Sequence, residues 1–121
     1  MVRRVLQQLG VLLLVFLIGT GLDWIAHQVN EEYAVPFWYY RNKVIFGVIL
    51  GFVVLAIARR FTGNPRWLAF WVALIVAVLL QTRYYFMGYS LDFVFIFMAV
   101  HFVAFLLPAW FLFSAKPSFL E

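Results

Sequence analysis

Apolar residues fall along the chain in four long runs, separated by short polar or aromatic connectors. The runs cover residues 5–24, 43–58, 67–82 and 93–113, each near the roughly 20 residues that carry a helix across a hydrocarbon layer about 30 Å thick. Within a run the apolar residues occupy every face. The alternation that a transmembrane β-strand shows over about ten residues is missing. In hydrocarbon each amide must be bonded within its own segment or within a closed barrel, so the pattern predicts helices. The expected fold is an all-α integral membrane protein, with four transmembrane helices in an up-down bundle built as two helical hairpins, forming a single domain over 1–121. No internal repeat divides the chain into duplicated halves.

The connectors are read from their turn chemistry. After the first run, Glu31, Glu32 and Pro36 lead into the aromatic group Phe37, Trp38, Tyr39 and Tyr40, which is expected to lie at the membrane interface. Thr62, Gly63, Asn64 and Pro65 reverse the chain after Arg59 and Arg60. The segment from Arg83 to Asp92 forms the third corner, and the last run stops before Lys116 and Pro117.

Composition narrows the class further. Apolar residues make up 67% of the chain against 12% charged, with a mean hydropathy of +1.00, which excludes an ordinary soluble domain. A net charge of +4 would suggest nucleic acid in a soluble protein. Here the cations sit at the ends of apolar runs, so topology accounts for them and no nucleic-acid partner is expected. With no cysteine there is no disulfide, thiolate ligand or thiol nucleophile. Arg3 and Arg4 precede the first run as in a signal peptide, but no small-x-small cleavage site follows it, so that run is read as a span.

Basic residues also set the expected orientation. Arg3, Arg4, Arg59, Arg60, Arg66 and Lys116 fall at one membrane face, and Arg41, Lys43 and Arg83 at the other. The positive-inside rule then places both termini in the cytoplasm of a multi-pass cell-membrane protein. Trp67, Trp71 and Trp110 fit the inner aromatic belt, and Trp24, Trp38, Tyr84 and Tyr85 fit the outer one.

Two stripes of small residues predict close helix packing. Gly47 and Gly51 are one turn apart on the second span, and Ala69, Ala73 and Ala77 repeat at that spacing on the third. Gln81 continues the alanine stripe as an expected interhelical hydrogen bond.

Polar residues within spans collect in the outer half, where Asp23, His27, Gln81, Arg83, Asp92 and His101 form the candidate polar site. Asp23 and His27 are four residues apart and meet on one helix face as a carboxylate–imidazole pair, a stripe that Thr20 extends inward. His101 lies about 13 Å below Asp92 at 1.5 Å per residue, near the membrane centre, where an ionisable side chain needs a partner from another helix. Arg83 is read as a solvated interfacial anchor ahead of an ion network with Asp92 or with Glu31 and Glu32, and Arg41, Asn42 and Lys43 are likewise read as interfacial anchors.

His27 near the outer surface and His101 near the centre imply a vertical gap of more than about 10 Å, so no shared metal and no bis-histidine haem are expected. Metal-protease, phosphate-loop and serine-hydrolase signatures are absent. The leading expectation is a non-catalytic accessory subunit of a larger membrane complex, or a protein binding a hydrophobic lipid, quinone or isoprenoid, with the lipid bilayer as its surroundings. The alternatives are a membrane-embedded enzyme acting on a lipid or isoprenoid, with Asp23 and His27 as base, and a homo-oligomeric, dimeric transporter linked to protons through His101. No cofactor is specified by these residues.

Overall fold

The computed structural model describes residues 1–115 and Ser118. The chain is all-helical, with four helices long and apolar enough to span a membrane: α1 (Val2–His27), α2 (Phe37–Ala58), α3 (Pro65–Phe86) and α4 (Leu91–Ala115). No strand occurs among the described residues. Each helix packs on its neighbours in chain order and α4 returns to α1, so the four helices form a closed ring. Lys116 and Pro117, expected just beyond the last span, lie outside the described residues.

The bundle turns its apolar residues both inward and outward. Leu13, Leu17, Ile18 and Leu22 on α1 and Phe95, Ile96, Val103 and Leu107 on α4 are exposed, as a lipid-facing surface requires. All five tryptophans are exposed, and the Arg66 guanidinium lies 5.7 Å from the Trp110 ring at the end where α3 begins and α4 finishes.

Helix ends follow local chemistry rather than the limits of the apolar runs. Pro65 occupies the first turn of α3, while the Asn64 side chain accepts from the Arg66 amide. Ser90 performs the same service for α4 by accepting from the Phe93 amide. The largest departure is α2, which starts at Phe37, six residues before the expected span at 43. Pro36 precedes it in extended conformation, and the aromatic group read as a connector forms its first turns. Between α1 and α2, Glu31–Tyr33 forms one 3₁₀ turn, capped by the Asn30 side chain.

In the half of the bundle that holds the start of α1, called inner after the orientation expected from the basic residues, the core is a set of close approaches. A Cβ at Gly47 would come within 2.6 Å of the Phe16 ring, and one at Gly51 within 2.8 Å of it, so these two glycines form the groove that receives Phe16. Phe16 then meets Phe105 edge-on, with centroids 4.8 Å apart. Ala69, Ala73 and Ala77 are fully or almost fully buried on α3. One turn along α1, a Cβ at Gly19 would lie 2.5 Å from the same Phe105 and 3.0 Å from the Ala104 carbonyl. That carbonyl is four residues before Pro108, which has no N–H to offer it, and the missing side chain of Gly19 lets α1 approach there.

Candidate functional site

The antiparallel contact of α1 with α4 has a fixed register. Gly19 lies against Phe105, Asp23 meets His101, and His27 stacks on Phe97, so each turn up α1 matches one turn down α4. Stepping by four keeps residues on one helix face, which is why a single seam carries all three contacts. The polar part of the seam is sealed: Asp23, His101 and Lys43 are fully buried and His27 is 1% exposed.

Asp23 is the hub. One carboxylate oxygen takes a hydrogen bond from the Lys43 ammonium of α2 and lies 3.2 Å from His27 Nε2. The other lies 3.1 Å from His101 Nε2 on α4. Three helices therefore converge on one side chain. The histidine approaches are close without the alignment of directed hydrogen bonds, and His101 Nδ1 has no hydrogen-bond partner.

Two features orient the rings. His27 Nδ1 lies 2.6 Å from the Tyr33 carbonyl in the first connector. A carbonyl only accepts, so Nδ1 carries the proton and donates it, leaving Nε2 to face Asp23. The His27 ring also lies flat on Phe97, with centroids 4.0 Å apart and 5° between planes, and His101 is parallel to Phe105 at 5.5 Å. Tyr39 borders the group from α2, its ring centre 4.0 Å from the Lys43 nitrogen. Together these aromatic walls exclude water from a cluster of ionisable groups, which strengthens each electrostatic contact inside.

The candidate polar site separates into parts. Asp23, His27 and His101 come together. Gln81 does not join them: its amide donates to the Val94 carbonyl at 2.7 Å, tying α3 to α4. Arg83 lies over the Phe46 ring at 4.2 Å, between α3 and α2, rather than in an ion pair with Asp92, Glu31 or Glu32. Asp92 is exposed in the first turn of α4 and shares with Glu32 a polar hollow of about 340 Å³ at the end of the bundle where α4 begins. Thr20 is buried on the expected stripe, and its hydroxyl makes no hydrogen bond.

The expected vertical gap between His27 and His101 does not exist. The candidate ligand atoms of Asp23, His27 and His101 all lie within 4.8 Å of one another. The expectation placed the outer ends of α1 and α4 at one level, yet His27 stacks on Phe97, well below the start of α4 at Leu91. The connector from residue 28 to residue 36 covers the inward face of the last turn of α1, where the Tyr33 carbonyl meets His27 Nδ1 and the Tyr33 ring lies 5.2 Å from Phe97.

Lys43 is the member of this cluster that reading by segments misses. Following Arg41 and Asn42, it reads as an interfacial anchor, whereas α2 begins early and brings it more than a turn inside the helix. The signal was present in the spacing: Tyr39, Lys43, Gly47 and Gly51 repeat every four residues and form one buried face of α2. Beside this sealed cluster a groove of about 520 Å³ opens between α1 and α2, lined by Thr20, Gly21, Trp24, Gln28, Phe37 and Tyr40 among others. Comparison with known protein families, curated proteins and solved structures finds no match for the chain.

Proposed function

We propose that the chain is a non-catalytic, multi-pass protein of the cell membrane that binds a hydrophobic molecule with a hydrogen-bonding head, of the quinone or isoprenoid class, from the outer leaflet. The observation that carries this reading is the groove between α1 and α2. It lies at the level of Asp23, is mainly apolar, and offers Thr20, Gln28 and Tyr40 as its polar points. Tyr40 is also its link to the buried cluster, with its ring 5.7 Å from His27 and 5.8 Å from the Lys43 nitrogen. The acid–base groups do not line the groove, which favours binding over turnover. Below His101 the interior continues as Phe105, Phe16, Leu12 and Leu55, which favours binding over transport by one chain.

Gly21 supplies a clean test. It lines the groove, and a Cβ there meets nothing within 4 Å, so Gly21→Leu fills the groove without disturbing the bundle. A short-chain quinone titrated into the detergent-solubilised chain should quench Trp24 fluorescence saturably in the wild type. The quench should be lost in Trp24→Phe and weakened at least tenfold in affinity in Gly21→Leu. Unsaturable quenching, or equal affinity in Gly21→Leu, removes the reading. A stoichiometric protein co-purifying in place of a lipid-soluble molecule supports the accessory-subunit alternative.

The same reading places both termini in the cytoplasm. Lys43 is buried and leaves the count of flanking charges, so among the described residues Arg3, Arg4, Arg59, Arg60 and Arg66 at one end stand against Arg41 and Arg83 at the other. A membrane-impermeant thiol reagent applied to intact cells should label a cysteine substituted for Asn30 and not one substituted for Asn64. The reverse pattern inverts the orientation.

A further inference from the structure

We propose that Asp23, His27 and His101 form a binding site for a divalent transition metal of the zinc class, with Lys43 as its built-in competitor. The proposal stands apart from the groove between α1 and α2 and uses none of its lining residues.

The donor geometry is the first support. A tetrahedral ion bound at about 2.0–2.1 Å sets neighbouring donor atoms about 3.3 Å apart. His27 Nε2 lies 3.2 Å from one Asp23 oxygen and His101 Nε2 lies 3.1 Å from the other, and with one donor atom from each residue the set falls within 4.8 Å, so an ion would draw the two imidazoles together across the carboxylate. Two imidazoles and one carboxylate suit zinc and its neighbours, whereas calcium and magnesium require oxygen donors. Three protein ligands leave one coordination position open.

The second support is the tautomer of His27. Its Nδ1 proton is committed to the Tyr33 carbonyl at 2.6 Å, so the Nε2 of a neutral ring presents a lone pair to a carboxylate oxygen 3.2 Å away. Two lone pairs facing each other repel, and here the repulsion is offset by the Lys43 ammonium on the same oxygen, by a second ring proton, or by a metal ion between them. A backbone carbonyl holding the far nitrogen of a histidine is also the arrangement that orients metal ligands. The flat contacts with Phe97 and Phe105 fix both rings against rotation.

A polar hollow lies next to the sealed cluster. The outer hollow carries the Glu32 and Asp92 carboxylates and reaches down to Tyr33 and Phe93, and the Phe93 ring is 5.7 Å from His27. Carboxylates in that hollow would concentrate divalent cations beside the cluster, and the Tyr33 and Phe93 side chains between them would have to move for an ion to enter.

Lys43 makes the proposal specific. Its ammonium is bonded to Asp23, so an arriving metal contends with it for the same carboxylate, and the ammonium must withdraw or release its proton. Removing that positive charge should therefore tighten metal binding, while removing a ligand should weaken it.

The experiment is a cobalt(II) titration of the full chain in detergent with any affinity tag removed, read by visible d–d absorption, with zinc as the displacing ion. The wild type should bind one cobalt per chain and release it to zinc. Lys43→Met should bind at least about tenfold more tightly. His101→Gln should lose about ten- to a hundredfold in affinity. Circular dichroism identifies the folded variants, and the wild-type titration stands if a variant does not fold. The proposal is overturned if folded wild type and Lys43→Met both lack the band, or if His101→Gln binds cobalt as the wild type does.

Discussion

The two halves of this bundle are held together by opposite means. In the outer half, Asp23, Lys43, His27 and His101 bring ionisable groups from three helices into a sealed interior. In the inner half, Phe16 enters a groove left by Gly47 and Gly51 and meets Phe105, with no charge involved. Lipid tails are as apolar as a leucine core, so burial alone does not drive membrane helices together, and each half needs another source of attraction. The inner half uses close dispersion contact. The outer half uses electrostatics, at the cost of removing charges from water, and such a group holds its register only while every member is present. The asymmetry suggests a division of labour: the glycine groove sets how close the helices come, and the carboxylate seam sets which residues face one another.

The strongest way to break this contrast is to remove the hub. Asp23→Leu leaves the Lys43 ammonium buried without a counter-charge, and breaking such a pair costs about 3–5 kcal/mol. Adding Lys43→Met should recover most of that loss, because a buried pair replaced by apolar groups of similar volume is often neutral. Thermal or denaturant unfolding in detergent measures both. A double variant as unstable as Asp23→Leu would show that the seam is not held by this pair.

The inner half should respond to size rather than charge. Gly51→Leu overpacks against Phe16 and should cost about 1–3 kcal/mol, whereas Gly10→Leu, where a Cβ meets nothing within 4 Å, should unfold as the wild type does. Ala73→Leu, at a fully buried position on α3, should behave as Gly51→Leu does. Equal stability of the Gly10 and Gly51 variants would remove the close-packing account of the inner half.

Much of the fold was legible in the sequence because the bilayer imposes a length and a composition that four apolar runs satisfy together. What could not be read was the relative height of the helices. Apolar runs mark where lipid begins, but the Pro36 boundary starts α2 at Phe37, and the connector ahead of it covers the inward face of the last turn of α1, with His27 at the level of Phe97. Those shifts joined His27 to His101 and made Lys43 an interior residue. The Asp23–His27 pair was legible because both residues lie on one helix, where spacing alone fixes their contact. Contacts across helices depend on register, and one sequence carries that only indirectly. The step of four from Gly51 through Gly47 and Lys43 to Tyr39 was the available signal, visible when charge is read by helix face instead of by distance from a span end.

Gln81 gives the smallest expected effect and tests whether the contrast between halves extends to polar contacts without charge. It is fully buried at the end of the alanine stripe and donates to the Val94 carbonyl at 2.7 Å, so it joins α3 to α4 in the outer half without touching Asp23. Interhelical hydrogen bonds in membranes contribute only about 0.6 kcal/mol on average, because a helix separated from its partner finds other partners in the membrane. Its Oε1 has no partner, so Gln81→Leu removes a bond and an unsatisfied buried acceptor together. The two effects oppose each other. Gln81→Leu should therefore change stability by less than about 1 kcal/mol, well below Asp23→Leu in the same unfolding assay. If it matched Asp23→Leu instead, the outer half would depend on its whole polar network, and the special place of the carboxylate hub would be lost.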